Sequence, residues 1–391
     1  MYRTLKNNLY DTTSDVLIII GSRQVGKTTL LKNTFPNAIY VNTETFDYID
    51  ILNSRNIDEI KERFLLDTRK KRGKNKPTLL IIDEFQRLQD PGLIAKVIHD
   101  EIPEIKLIIT GSSALELTFE ASESLAGRKK THYLFPLTFQ EKLVQTRSFN
   151  QEQLSHGISF TNKDYPDFKG ELLDSMRYGM YPETLNRPDE LEEYLLEYVN
   201  ATLLKDIYYL ELVRNVSKLE DLLKLLAYQI GNQINVSEIS NRLGIARQTV
   251  ESYLDILTKT YIIFTLKPFT KKRRDEIGKT EKIYFYDLGV RNALINDFSP
   301  VEYRQDFGNI LENFAISEFM KLNYYYKQRY TMYYWRTKWG SEVDLIMEKN
   351  NTLKAIEIKS RKGTVTSAFT DVYPQAECHV ATLRNLPGMI L

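Results

Sequence analysis

Residues 16–30 read VLIIIGSRQVGKTTL, and this stretch decides the fold of the amino-terminal part of the chain. Five apolar residues are followed by a complete G-x-x-x-x-G-K-[ST] pattern and then by a helical pattern. In that order, a strand, a glycine-rich turn and a helix form a loop whose backbone N–H groups face a phosphate chain. A chance glycine turn before a helix is the alternative. The residues of the predicted nucleotide site are Gly21, Ser22, Arg23, Gln24, Val25, Gly26, Lys27, Thr28 and Thr29.

The last residues of this loop carry the chemistry of the predicted site. Lys27 is expected to reach the β and γ phosphates of the nucleotide, and the Thr28 hydroxyl to ligate Mg²⁺. A second apolar run, Leu79–Ile82, is typical of a buried parallel strand, and it ends in Asp83 and Glu84. Open α/β sheets bind ligands at the carboxyl ends of their strands. We therefore predict that Asp83 completes the Mg²⁺ site and that Glu84 polarises the attacking water.

Two further polar positions are candidates for the same site. The run Leu107–Thr110 predicts a third strand, after which Thr110 or Ser112 would sense the γ-phosphate; a simple strand-ending turn is the alternative. Arg128 is a candidate arginine finger that neutralises transition-state charge in a neighbouring subunit. That role would require a homo-oligomer, whereas an internal ion pair would not.

These stretches resemble the AAA-type ATPase domain of certain prokaryotic, archaeal-ATPase-like ATP-binding proteins. The resemblance rests on GSRQVGKTTL, LLIIDEFQ, ITGSS, SLAGR and YLFPLTFQE, and it continues through Tyr178–Glu183 and Leu204–Ile207. It therefore covers nearly the whole chain, although Met180 stands where that family often has a second glycine. The resemblance implies hydrolysis of ATP to ADP and phosphate by a parallel-sheet core, followed by an uncharacterised carboxyl-terminal region.

The bulk composition is that of an ordinary globular protein, with 391 residues, 42% apolar residues, 27% charged residues and a net charge of +1. This length suggests two or three domains of roughly 100–200 residues each. No apolar run reaches the roughly 18 residues that span a bilayer, and no signal-peptide core follows Met1. The single Cys378 excludes an intramolecular disulfide and a cysteine-based zinc site. We predict a cytoplasmic protein without a membrane segment.

A helix-turn-helix pattern occupies part of residues 218–290. An amphipathic helix at 218–229 precedes two helices at 235–244 and 245–254 and two strands at 261–266 and 282–286, an order typical of a winged helix. The predicted DNA-binding residues of the second helix and the wing are Arg247, Gln248, Thr249, Ser252, Lys271, Lys272, Arg273 and Arg274. A packing or protein-docking module is the alternative, which the acidic Glu251, Asp275 and Glu276 favour.

The last hundred residues carry an acidic constellation. Glu312 lies in a predicted helix, Asp344 in a predicted strand, and Glu357 and Lys359 on one face of the next strand. Asp344 and Glu357 stand at hairpin distance, so we expect them to share a second Mg²⁺ or Mn²⁺, with Lys359 activating a water and Glu312 completing the site.

This constellation resembles the PD-(D/E)xK nuclease superfamily, including Holliday-junction-resolvase-like members, with Val343 in place of the naming proline. The resemblance implies metal-dependent cleavage of DNA. Surface carboxylates on a mixed α/β domain, or the nuclease fold without cleavage, are the alternatives.

Together, the patterns predict an α/β protein with four parts. A P-loop AAA-type parallel sheet core spans residues 1–145, and a helical connector or lid spans 146–217. A winged helix spans 218–290, and a small PD-(D/E)xK-like α/β domain spans 291–391. The predicted ligands are ATP, Mg²⁺ and DNA. The predicted function is an ATPase that controls a DNA-engaging module. An ATP-driven nuclease and a nucleotide switch that binds proteins through an inert nuclease-like domain are the alternatives.

Overall fold

The computed structural model describes residues 1–9, 15–43, 48–69, 77–111, 125, 127–146, 165–203, 215–270 and 280–391. These residues form two compact units. The first comprises Met1–Phe135 with Lys259–Tyr261, and the second comprises Pro136–Thr258 with Ile262–Leu391. Within the described ranges, no helix combines the length and the apolar composition needed to cross a membrane.

The first unit contains a five-stranded, entirely parallel sheet. Its strands are β1 (Val16–Ile20), β2 (Ile39–Asn42), β3 (Thr78–Asp83), β4 (Ile105–Gly111) and β5 (Lys129–Tyr133). All five residues of β1 are buried, as its unbroken apolar run predicted. The strand order is β2-β3-β4-β1-β5, so β1 lies between β4 and β5. The carboxyl ends of β1, β3 and β4 therefore meet at one edge of the sheet.

The helices of the first unit precede or connect these parallel strands. They are α1 (Lys6–Leu9), α2 (Lys27–Thr34), α3 (Ile49–Ser54), α4 (Ile57–Arg69) and α5 (Pro91–Glu101). Apolar residues of α4 and α5, such as Phe64 and Ile98, are buried in the same cluster as Ile18 and Ile82 of the sheet. This packing fixes the strand ends on which the predicted nucleotide site depends.

The second unit begins with helices. They are α6 (Phe139–Thr146), α7 (Tyr165–Tyr178), α8 (Leu191–Glu197), α9 (Val216–Tyr228), α10 (Val236–Leu243) and α11 (Arg247–Lys259), with a π-helical segment at Tyr198–Leu203 after α8. The helices predicted around 218–229, 235–244 and 245–254 are thus confirmed, with small shifts at their ends.

A six-stranded mixed sheet completes the second unit in the order β11-β10-β9-β8-β6-β7. Its strands are β6 (Ile263–Pro268), β7 (Lys282–Phe285), β8 (Thr331–Arg336), β9 (Glu342–Lys349), β10 (Thr352–Lys359) and β11 (Glu377–Thr382). The remaining helices are α12 (Leu288–Leu294), α13 (Phe307–Tyr325), α14 (Ser367–Thr370) and α15 (Pro387–Ile390).

The two strands expected of a wing belong to this same sheet. β6 pairs with β7 in antiparallel fashion, and its end pairs in parallel with β8 through Lys267 and Tyr333. One sheet therefore contains strands from both sides of position 290, where the sequence patterns placed a domain boundary. The strands on the two sides are joined because β6 forms hydrogen bonds along both of its edges, to β7 and to β8.

The segment Tyr178–Glu183, which carries part of the family resemblance, is a structural joint inside the second unit. Gly179 has a φ of +75°, and a Cβ at that position would collide with the carboxylate of Asp287. Asp287 accepts hydrogen bonds from the backbone N–H groups of Met180 (2.6 Å) and Val290 (3.0 Å). This buried carboxylate thus joins the end of α7 to the start of α12.

Candidate nucleotide site and acidic site

The glycine-rich loop has the backbone geometry that its sequence predicted. Gly26 adopts a φ of +95° and directly precedes α2, which begins at Lys27. Gly21 comes directly after β1 and packs against the backbone at Leu134. A Cβ at Gly21 would collide with the carbonyl oxygen of Leu134. The Lys27 ammonium is buried in the loop and donates to the carbonyl oxygens of Gly21 (2.9 Å) and Ser22 (3.0 Å). The buried Lys27 ammonium thus lies in the loop where phosphates are expected.

Asp83 lies at the end of β3 and gathers three hydroxyl groups. Its Oδ2 accepts hydrogen bonds from Thr28 Oγ1 (2.5 Å) and from the Tyr40 hydroxyl, and its Oδ1 accepts one from Thr110 Oγ1. Burial alone would raise the pKa of Asp83, but these hydrogen bonds and the Lys27 charge outweigh burial and hold that pKa below its ordinary value. Asp83 is therefore an ionised carboxylate at neutral pH, as a Mg²⁺ ligand must be.

Tyr40 of β2 was not foreseen from the sequence. Burial and the hydrogen bond to Asp83 raise the pKa of its phenol, which therefore remains a proton donor. A tyrosine in a half-buried strand is so common that no local signal marks it. Thr110 or Ser112 was predicted to sense the γ-phosphate. The buried Thr110 hydroxyl donates to Asp83 and its sensor role stays a prediction, while Ser112 lies outside the described residues.

Glu84 directly follows Asp83 and leaves the strand through a left-handed backbone conformation, with a φ of +54°. Its Oε2 accepts a hydrogen bond from Gln86 Nε2 (2.7 Å), and its carbonyl oxygen accepts one from Thr43 Oγ1 (2.7 Å). The turn thus has a defined conformation beside Asp83, and the role of Glu84 as a general base stays a prediction.

Arg128 does not lie beside the glycine-rich loop of its own chain. Its carbonyl oxygen accepts from the N–H of Val16 (2.8 Å), at the amino end of β1, whereas the glycine-rich loop follows the carboxyl end. The two ends of this strand lie about 13 Å apart, at about 3.3 Å for each of its four residue-to-residue steps. The Arg128 guanidinium instead forms an ion pair with Asp100 (2.5 Å). The geometry favours the internal ion pair, the alternative to an arginine finger.

The predicted helix-turn-helix face is exposed. The Asn235 side chain caps α10 by accepting from the N–H of Glu238 (3.2 Å), and Gly244 ends that helix with a φ of +65°. Of the predicted DNA-contacting residues on α11, Arg247, Gln248 and Ser252 are exposed and Thr249 is half-buried. The four basic residues expected in the wing, Lys271, Lys272, Arg273 and Arg274, lie outside the described residues.

The acidic residues of the carboxyl-terminal region meet at one end of the six-stranded sheet. Glu312 of α13 and Glu342 and Asp344 of β9 each bring a carboxylate oxygen to within 4.8 Å of the others. Asp344 Oδ2 accepts a hydrogen bond from the N–H of Ile358 (2.8 Å), which places it beside Glu357 on β10. The predicted Asp344–Glu357 hairpin is thus confirmed, with a two-residue turn at Asn350 and Asn351, both at positive φ.

Lys359 and Glu357 form the other half of this cluster. The Lys359 ammonium lies 2.6 Å from Glu357 Oε1 and 4.0 Å from Asp344 Oδ2. Glu357 Oε2 is buried and has no hydrogen-bond partner among the described residues. A cation or a water molecule would satisfy that oxygen, so the donor set fits a hard ion such as Mg²⁺ or Mn²⁺.

Sequence patterns missed two members of the cluster, Lys282 and Glu342. The Lys282 ammonium is 3.0 Å from Glu312 Oε1 and also pairs with Glu342, while the Tyr284 hydroxyl donates to Glu312 (2.7 Å). Glu342 precedes Asp344 by two residues and so shares its face of the strand, a signal that was available. No sequence signal pointed to Lys282, because it begins β7, and only the folded sheet brings that strand close to Glu312 and Glu342.

Burial sets the proton affinities of this cluster. It raises the pKa of Glu312 to about 7, with the nearby Asp344 charge adding to that effect and Lys282 opposing it. Burial also raises the pKa of Asp344 and of Glu357. For Lys282, burial alone would lower the pKa, but Glu312 and Glu342 outweigh burial and raise it. The lysine is therefore a permanent internal cation among carboxylates that repel one another.

Comparison with protein families assigns three parts of the chain. Residues 13–143 match the AAA domain family, residues 169–300 match the domain of unknown function DUF8612, and residues 307–382 match the domain of unknown function DUF4143. The first match coincides with the parallel sheet, the glycine-rich loop and the Asp83 site.

Residues 13–143 are therefore similar to AAA domains.

Several curated proteins are similar along most of the chain. Two uncharacterized proteins of Methanocaldococcus jannaschii are each 27% identical, over 383 and 395 residues, which cover 91% and 90% of this chain and 80% of each relative. An uncharacterized protein of Mycobacterium tuberculosis is 26% identical over 367 residues, covering 91% of this chain and 74% of the relative. All three parts of the chain therefore recur together in archaea and bacteria.

Solved structures show more distant likenesses. A Walker-type ATPase of Pyrococcus abyssi aligns with a TM-score of 0.45 at 17% identity, covering 75% of this chain and 93% of that protein. A signal transduction ATPase with numerous domains and a tetratricopeptide repeat sensor, from Pyrococcus horikoshii, aligns with a TM-score of 0.29 at 18% identity. It covers 82% of this chain and 45% of that protein. Both likenesses are too remote to bear on function.

Proposed function

We propose that the protein is a Mg²⁺-dependent ATPase that hydrolyses ATP to ADP and phosphate in its AAA domain, and that this hydrolysis controls a DNA-engaging module in the second unit. The observation that carries the ATPase proposal is the network in which Thr28 and Asp83 share a hydrogen bond beside the glycine-rich loop. The AAA family match over residues 13–143 supports it.

Each residue of the network has a separate task in this mechanism. Thr28 and Asp83 are the groups that would hold Mg²⁺, whose charge offsets that of the phosphate oxygens. Lys27 exchanges its bonds to the carbonyl oxygens of Gly21 and Ser22 for bonds to the β and γ phosphates. Glu84 accepts the proton of the attacking water and thereby acts as the general base.

Steady-state ATPase measurements on the full chain test this site. Lys27→Ala and Asp83→Asn are each expected to reduce turnover at least 100-fold, the scale on which loss of one transition-state contact acts. Lys96→Ala, which removes an exposed lysine from α5, is the matched control and is expected to retain wild-type turnover. Unchanged turnover in Lys27→Ala would refute the assignment.

For the second unit, we propose that the exposed α11 face and the acidic site engage DNA. The carboxylates of Glu312, Glu342 and Asp344, with Glu357 and Lys359 beside them, support metal-assisted phosphodiester hydrolysis, because carboxylate oxygens suit Mg²⁺ or Mn²⁺. Plasmid and branched DNA, each incubated with Mg²⁺ or Mn²⁺ and with or without ATP, test this proposal. Metal-dependent cleavage that is lost in Asp344→Ala supports it.

One observation favours the alternative of a nucleotide-dependent protein-interaction switch with an inert nuclease-like domain. The buried Lys282 ammonium already compensates Glu312 and Glu342, as an internal cation in the position of a metal. An inert site of this kind predicts no cleavage under any of the conditions above and no binding of DNA at low salt. Retained ATPase activity together with those two results would decide for the switch.

A further inference from the structure

One tryptophan of the second unit is fully presented to solvent. The chain has two tryptophans, and Trp335 is 7% exposed and packs edge-on against Phe369 with ring centroids 5.2 Å apart. Trp339, four residues later, is 95% exposed. It lies in the turn between β8 and β9, where the N–H of Thr337 donates to the carbonyl oxygen of Ser341 (2.8 Å). A large apolar ring held in water contributes no packing to the fold and is available to a ligand.

Basic side chains lie in this turn and in the loop that follows β10. Lys338 precedes the tryptophan, and Arg361 and Lys362 follow the end of β10; all three are exposed and have no ion-pair partner within the described ranges. The antiparallel register, with Leu345 opposite Ile356, places the start of β9 beside the end of β10. The turn and the loop after β10 therefore lie at the same end of the sheet as Asp344 and Glu357.

We propose that Thr337–Ser341 and Ser360–Gly363 form a strand-binding rim for single-stranded DNA beside the acidic site. An unpaired base stacks on Trp339, because an indole offers a face to any base, and Lys338, Arg361 and Lys362 contact the phosphates. Charge decides for a nucleic acid over a protein partner, since unpaired cations flanking a solvent-exposed ring match a polyanion with aromatic bases. This inference rests on the proposed DNA-engaging function and names the DNA form and the residues that bind it.

The two tryptophans make the test direct. In the full chain, titration with an oligothymidine of about 20 nucleotides at low salt is expected to quench the fluorescence of Trp339. In Trp339→Phe, only Trp335 remains and its emission is expected not to change. Trp339→Ala is expected to weaken binding of the oligonucleotide about 5- to 100-fold by fluorescence anisotropy, the range for loss of one stacked base.

Charge variants separate the rim from general electrostatics. The triple variant Lys338→Gln, Arg361→Gln and Lys362→Gln is expected to weaken binding and to flatten the salt dependence by about 2 in slope, at about 0.7 per phosphate contact. Lys327→Gln with Arg329→Gln is the matched control, because both residues are exposed and precede β8 at the opposite end of that strand. The control is expected to bind as the wild type does.

The remaining outcomes distinguish failure of the rim from failure of the proposed function. If DNA binds but Trp339 is not quenched, and Arg247→Ala alone weakens binding, the rim is refuted and the DNA-engaging function stands. If no single- or double-stranded DNA binds, both are refuted. A concentration-dependent change in Trp339 emission without DNA would show that a second copy of the chain covers the ring, which also refutes the rim.

Discussion

Replacement of Lys282 by methionine tests how the acidic site is held together. Lys282 is 2% exposed and compensates Glu312 and Glu342 inside a cluster that also contains Asp344. Methionine keeps an unbranched apolar stem but removes the charge, so buried carboxylates lose their partner. Breaking a buried pair from one side lowers the free energy of unfolding by about 3–5 kcal/mol. We expect a loss of this size in Lys282→Met.

Urea denaturation followed by tryptophan fluorescence is the assay. Both tryptophans belong to the second unit, and the buried Trp335 reports its unfolding. Lys354→Met is the matched control, because Lys354 pairs with Glu377 at 3.5 Å near the surface. An exposed pair contributes about 1 kcal/mol or less, so the control is expected to remain close to the wild type.

Divalent cations extend the same prediction. If the cluster accepts Mg²⁺ or Mn²⁺ once Lys282 is gone, the metal at 100 times its dissociation constant restores about 2.7 kcal/mol, by mass action on the folded state. The wild type is expected to gain less, because its lysine competes with the ion. A Lys282→Met variant within 1 kcal/mol of the wild type in EDTA would refute the argument that the lysine compensates buried charge.

The pH dependence of the Lys282→Met deficit has a definite sign. Burial raises the pKa of Glu312 from 4.5 to about 7, and Lys282 opposes that rise, so the pKa lies higher in the variant. A carboxyl with a raised pKa in the folded state loses stability as the pH rises from its unfolded value through its folded value. The deficit of the variant is therefore expected to be largest near pH 8 and to shrink towards pH 5. A deficit that grows on acidification would contradict this.

Three further predictions concern the first unit. Tyr40→Phe removes one of the hydroxyl groups that donate to Asp83. It is expected to raise the Mg²⁺ concentration for half-maximal ATPase activity about 10- to 100-fold, as loss of an outer-shell partner does. An unchanged Mg²⁺ curve would exclude Tyr40 as a residue that positions Asp83. Gly21→Ala places a methyl group against the carbonyl oxygen of Leu134. It is expected to lower the free energy of unfolding by about 1–3 kcal/mol, measured by thermal unfolding. It is also expected to abolish binding of a fluorescent nucleotide, measured by titration. Arg128→Ala is expected to retain ATPase turnover because the guanidinium pairs with Asp100; a loss of about 10³-fold would instead establish a finger that acts on a neighbouring subunit.

The geometry of the candidate nucleotide site was largely predictable because its signal is local. β1, the glycine-rich loop and the start of α2 are contiguous in sequence, so the predicted phosphate-binding motif is also a single unit of local structure. Asp83 follows an apolar run at the end of β3, and parallel strands bring their carboxyl ends to one edge. The Asp344–Glu357 hairpin was predictable for the same reason, since only a two-residue turn separates its strands.

The sequence by itself determined the candidate site residues: Lys27, Thr28 and Asp83 in one unit, and Asp344, Glu357 and Lys359 in the other. Only the tertiary structure decided what surrounds them. Tyr40 and Thr110 reach Asp83 from two flanking strands, and Lys282 reaches Glu312 from a strand that pairs at the far edge of the second sheet. Strand order and side-chain packing depend on long-range contacts, and a local pattern carries no information about which distant residue will share a buried charge.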